Sequence, residues 1–256
     1  MRDILIKDDT HAGALDQLGA CALFFNRDWT NAEAFMARAE QAQSEQFRHF
    51  YRAWQLRIRG QFAEARVEQE KSEHPELTDP EFRFMMCSSR WAEGQYDEAI
   101  QVARRTLELN PNPLGEYNYH YWRAHCLVVN GNYAAGLEAI RKAQALSPKQ
   151  ELTALLGYAY AKMGRTDEAR EVLKQLPERS SPYLQPYFVA RIHAALGEKK
   201  EAIDWLEQAA ADRSEYLFFP DWGGLRTDPA WDDLQTEERY RQLCERLGLG
   251  KNQWPR

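Results

Sequence analysis

An all-α chain of about six helix-turn-helix hairpins closed by a C-terminal capping helix is what this sequence predicts, and three observations carry the prediction. The first is the stretch from Leu155 to Leu173. Apolar and small residues recur there at helical spacing as far as Met163, Gly164 breaks the helix, and Asp167-Glu168 opens a second one through Leu173. The second is recurrence: the residue that begins each second helix falls at Ala32, Ala65, Ala99, Gly136, Ala169 and Ala202, at intervals of 33, 34, 37, 33 and 33. The third is the turn residue five positions earlier, at Arg27, Gly60, Gly94, Gly131, Gly164 and Gly197, glycine in five of six cases. Glycine is expected where a helix must end in a left-handed conformation.

Small residues stand where the two helices of each hairpin must cross, at Gly19, Ala53, Cys87, Ala124, Gly157 and Ala190. The succession Leu156-Gly157, Tyr160, Ala169 and Leu173 resembles the tetratricopeptide repeat, whose pattern is W-x2-L-G-x2-Y, then A-x3-F, then P. Here Thr153 replaces the Trp and Leu173 the Phe. The resemblance implies a right-handed superhelical solenoid over residues 1–212, with repeats near 11–44, 46–77, 81–111, 116–148, 150–180 and 183–212, followed by a tail over 213–256.

Each hairpin has its own punctuation. The first places Ala14, Leu15, Leu18 and Ala22 on one helix and Ala32, Met36 and Ala39 on the next, with Asn26-Arg27-Asp28-Trp29 as a turn that Asp28 or Thr30 caps. The second is rich in charge and ends at Pro75 and Thr78-Asp79-Pro80. Pro111 closes the third and Pro148 the fourth. Between these two hairpins, Pro111-Asn112-Pro113-Leu114-Gly115 supplies the extra residues of the 37-residue interval, which are expected to lengthen the connecting loop. Pro177, Pro182 and Pro186 are expected to separate the fifth hairpin from the sixth. Beyond them, Phe218 to Leu225 reads as a turn-rich apolar segment and Trp231 through Leu247 as one capping helix.

The tail residues Leu225, Asp228-Pro229-Ala230-Trp231, Tyr240, Leu243 and Leu247-Gly248-Leu249 resemble the ending of repeat domains attached to bacterial signalling proteins: winged-helix activators, adenylate cyclases and serine/threonine kinases. That resemblance implies a free-standing relative or an excised domain, and a ligand-sensing regulatory module as an alternative role.

Composition limits the partners. Apolar residues make up 44% and aromatics 12%, enough for a continuous core, and the net charge of −6 is dispersed. A dispersed negative charge argues against nucleic acid or an anionic membrane as the main partner, because both need a concentrated positive face. The first ten residues are too short and too charged for a signal peptide or span, and no other stretch approaches eighteen apolar residues. Cys21, Cys87, Cys126 and Cys244 are isolated, which fits reduced thiols in a cytoplasmic protein. A periplasmic location applies only if the chain is the soluble part of a membrane-anchored protein.

In the repeat that the chain resembles, first-helix positions 5, 9 and 12, counted with the turn glycine as 15, face the inner wall. The corresponding side chains that define a candidate groove are Phe50, Trp54 and Arg57; Phe84, Ser88 and Trp91; Tyr121 and His125; Tyr158, with Lys162 beside it; and Tyr187 and Arg191. Rings supply contact area and Arg57, Arg191 and Lys162 supply orientation for a peptide or protein segment. Two readings stay open: a free groove, or a wall packed against itself or against the C-terminal segment. Self-association also stays open. The Lys and Asn set with which one subset of the family clamps a terminal carboxylate is absent.

No catalytic residue, cofactor or metal is expected. His120 and His125 are five apart and do not share a helix face well. Cys126 adjoins His125 only in sequence, and neighbours on a helix diverge by about 100 degrees. There is no phosphate loop and no nucleophile elbow. An enzymatic pocket near Trp222 and Trp231 would have to draw on Asp221, Asp228 and Arg226.

Overall fold

The computed structural model describes residues 11–26, 28–42, 45–58, 60–72, 80–109, 111–179, 185–218 and 224–249, and among these the chain is all-α with no strand. It forms two compact units, Met1–Glu76 with Cys244–Arg256, and Leu77–Leu243.

The first unit holds two hairpins. Helix α1 (Ala12–Cys21) starts on His11, whose Nδ1 accepts from the Ala14 N–H at 3.1 Å, and continues into a π-helical turn, Ala22–Asn26. Arg27 lies outside the described residues. Asp28 caps α2 (Trp29–Ala42), accepting from the Asn31 N–H at 3.0 Å, and this bond holds its carboxyl below the usual range. The second hairpin is α3 (Glu45–Ile58) and α4 (Phe62–Ser72), tied to α2 by Gln55 Nε2 donating to the Met36 carbonyl at 3.1 Å. At its other end the chain returns to this unit, where Gly248 lies so close to the Trp29 indole that a Cβ would stand 2.6 Å from Nε1.

Four more hairpins build the second unit: α5 (Pro80–Ala92) with α6 (Tyr96–Leu109), α7 (Pro113–Val129) with α8 (Tyr133–Leu146), α9 (Gln150–Lys162) with α10 (Thr166–Arg179), and α11 (Gln185–Ala195) with α12 (Lys199–Ala211). Their turns share one device, seen clearly at Gly131. Its φ of +80° lets the Asn132 N–H reach back to the Leu127 carbonyl at 2.8 Å while Gly131 N–H bonds Val128. Asn132 then offers its own carbonyl to Gly136, so one helix ends and the next begins across three residues. The other four expected turn glycines have φ between 72° and 79°.

Close crossing is the second device. A Cβ on Gly157 would stand 2.7 Å from Ile192 Cδ1 and 2.8 Å from Val172 Cγ1, so the residue has no room for a side chain. Ala99, Ala124, Ala169, Ala190 and Ala202 are all fully buried at equivalent crossings. Ala169→Leu is therefore expected to overpack the α9–α10 crossing and lower stability by about 1–3 kcal/mol. An unchanged thermal midpoint would contradict this packing.

Three expectations need correction. The extra residues before the fourth hairpin do not lengthen a loop. They extend α7 to 17 residues against 13 in α5 and α9, because Asn112 caps its start by accepting from Gly115 N–H at 2.9 Å and Pro113 suits the first turn. Pro177 does not end the fifth hairpin, since α10 runs through it to Arg179; the lost N–H bond falls in the last turn, with only two helical residues beyond it. Pro186 stands in the first turn of α11, and Pro182 lies outside the described residues.

The capping helix is also not one rod. The tail comprises a 3-10 turn (Glu215–Leu217), the short α13 (Gly224–Thr227), a 3-10 helix (Pro229–Leu234) and α14 (Glu238–Arg246). The break at Gln235-Thr236 separates two helices that each carry buried residues, Trp231 and Leu234 before it and Tyr240 and Leu243 after it. Trp231 Nε1 donates to the Gly224 carbonyl at 3.0 Å and Tyr240 OH to that of Leu225 at 2.8 Å. Glu237 meets Lys199 at 2.9 Å, and Arg239 meets Asp204 and Glu207 at 2.8 and 2.7 Å, which lays this end of the tail along α12.

Candidate interaction wall

In the first unit, Trp54 and Arg57 are buried, and Arg57 Nη2 donates to Gln69 Oε1. The Phe50 side chain lies outside what is described. The second unit gathers most of the remaining candidates. Phe84 of α5 is half-buried, its ring 5.1 Å from Trp122 and 6.0 Å from Tyr121. Tyr121 leans on His125 at 4.5 Å, and Trp91 meets His125 edge-on at 6.4 Å. Ser88 is buried and turns its hydroxyl back onto the Met85 carbonyl of its own helix at 2.7 Å, so it offers the wall little.

Tyr158, Tyr187 and Arg191 converge on one tail residue. The Arg191 guanidinium sits over the Tyr158 ring at 4.9 Å and its Nε lies 2.8 Å from Asp228 Oδ2, with both side chains almost wholly out of water. Tyr187 OH donates to the same oxygen at 3.1 Å, and its ring packs edge-on to Trp231 at 5.4 Å. Asp228 Oδ1 meanwhile caps the 3-10 helix by accepting from Ala230 N–H at 3.0 Å. The wall of the sixth repeat is thus covered by the chain's own C-terminal segment. Lys162, at the end of α9, remains in solvent.

Burial sets the electrostatics. Burial first, and the nearby Arg191 charge second, push the His125 imidazole down to about 3, so it is neutral at physiological pH. For Arg191, burial is the largest influence and pulls downward, but Asp228 together with Tyr187, Tyr158 and Tyr121 outweighs it and the guanidinium stays charged. Burial raises Asp228, against the pull of Arg191 and of the Ala230 and Tyr187 hydrogen bonds. Burial also raises the Cys87 and Cys126 thiols, the opposite of an activated nucleophile. Among the described residues no three His, Cys, Asp or Glu side chains gather as metal ligands, and no helix is long and apolar enough to cross a membrane.

Sequence reasoning missed Trp122, whose ring links Phe84 to Tyr121 and His125, and the role of Asp228, which had been a candidate acid. Of that enzymatic set, Asp221 and Trp222 lie outside the described residues, Arg226 is buried, and Asp228 is committed to Arg191, Tyr187 and Ala230. Trp54 and Trp91 are both buried, so truncating either removes core.

Successive helical hairpins with left-handed glycine turns and close small-residue crossings define an α-helical repeat protein. The family model described as tetratricopeptide repeat matches residues 154–216, and the one described as anaphase-promoting complex, cyclosome, subunit 3 matches residues 92–176. These matches indicate a tetratricopeptide-repeat protein. No curated protein matches it. Domains of this family are in general protein-interaction scaffolds and typically non-catalytic.

Proposed function

We propose that the chain is a non-catalytic scaffold or adaptor that holds a protein or peptide segment against the wall of the third to fifth repeats. The observation that supports this reading is the division of the wall. Its sixth-repeat part is closed by Asp228 and Trp231, whereas Phe84 is half-buried and Lys162 exposed. An incoming segment would find an aromatic face on α5 and α7 and a cation on α9 to orient it. The buried rings beneath give that surface rigidity.

A peptide selected by display against the whole protein supplies the test, with affinity read by fluorescence anisotropy. Phe84→Ala and Lys162→Glu should each weaken binding by about tenfold, or 1.4 kcal/mol. Lys174→Ala, on the exposed side of α10, should leave it unchanged. Equal losses from all three, or none from the wall pair, would sink the proposal.

A further inference from the structure

Three buried nitrogens on α5 and α7 have no hydrogen-bond partner: Trp91 Nε1, Trp122 Nε1 and His125 Nε2. Their side chains are only 3%, 2% and 8% exposed, and the two indole rings lie 6.4 and 6.2 Å from the His125 ring. Buried polar atoms in folded proteins are paired as a rule, because an orphaned one loses its hydration with nothing in return. Two orphaned indoles beside an imidazole whose own Nε2 is orphaned therefore call for a group that the described residues do not provide.

The donor chemistry selects that group. An indole N–H only donates, so the missing partner must present an acceptor. A carboxylate would bring a buried charge with no counter-ion, since the cation acting on His125 is Arg191 and Asp228 already neutralises it. A neutral carbonyl oxygen has two lone pairs and brings no charge.

We infer that the inner face of the third and fourth repeats is a recognition site for a neutral amide carbonyl, the main-chain oxygen of a bound extended segment, with Trp91 and Trp122 as donors and His125 completing the recess. This inference rests on the scaffold reading above and names the group that the wall recognises. Phe84, half-buried over Trp122, stands at the edge where such a segment would enter.

The test is a titration of the ¹⁵N-labelled full chain with N-methylacetamide, following the eight tryptophan indole N–H resonances. Trp91→Phe and Trp122→Phe, which keep an aromatic ring, assign the two peaks. Those peaks should move saturably and further than any other indole with N-methylacetamide, and not with acetate. In His125→Phe the shifts should shrink. Peaks that stay still, that respond equally to acetate, or that keep a long-lived cross-peak to water throughout would overturn the inference. If they stay still while Phe84→Ala still weakens a displayed peptide, the carbonyl site alone fails and the scaffold reading stands.

Discussion

Truncating Arg191 to alanine should lower stability by about 3–5 kcal/mol, because it leaves the Asp228 carboxylate buried without its counter-charge. Asp228→Ala should cost a similar amount, since it strands the guanidinium, removes the acceptor of Tyr187 OH and uncaps the 3-10 helix. The pair itself is worth much less than either truncation, because desolvating two charges consumes most of their attraction. The double variant Arg191→Met with Asp228→Asn should therefore recover most of the loss, the two changes coupling rather than adding. Urea unfolding of the three proteins decides the matter. Single variants within about 1 kcal/mol of the wild type would mean that the contact is too hydrated to hold the tail.

His125 carries the second large effect, this time through pH. Above pH 6.5 the imidazole is neutral in both the folded and the unfolded chain, so it contributes no pH dependence. Below 6.5 the unfolded chain takes up a proton that the folded protein, with its value near 3, refuses. Stability should therefore fall as pH drops from 6.5 toward 3, at up to about 1.4 kcal/mol per unit from this residue. His125→Phe keeps a ring at the site and removes the titration, so its loss between pH 6.5 and 5.0 should be smaller by about 1.5–2 kcal/mol. Parallel pH profiles for the two proteins would contradict a neutral, desolvated imidazole.

What could be read from the sequence was what the backbone demands locally. A glycine five residues before a small residue specifies a left-handed turn followed by a close crossing, and Gly131, Gly157 and Ala169 behave so because φ and Cβ volume leave no alternative. The burial of the wall was not legible. Tyr187 and Arg191 occupy repeat positions that can equally face an open groove. Only a residue 37 positions beyond Arg191 and 41 beyond Tyr187, in a segment without the repeat, determines that both meet Asp228. The divided capping helix was hidden for a similar reason, as Leu234-Gln235-Thr236 contains no glycine or proline. The longer α7 was disguised by Pro111 and Pro113, which mark a loop as readily as a helix start.

Among the described residues, the direct contacts of the Asp228 lock fall in the last two repeats, through Arg191 and Tyr187 of the sixth and the Tyr158 ring beneath. Whole hairpins duplicated or deleted upstream of α9 would leave that closure untouched, since a stacked repeat depends on its immediate neighbours. An array lengthened or shortened there in steps of about 34 residues would therefore keep the Asp228 contacts, but would have to rebuild the close approach of Gly248 to Trp29 of the first hairpin.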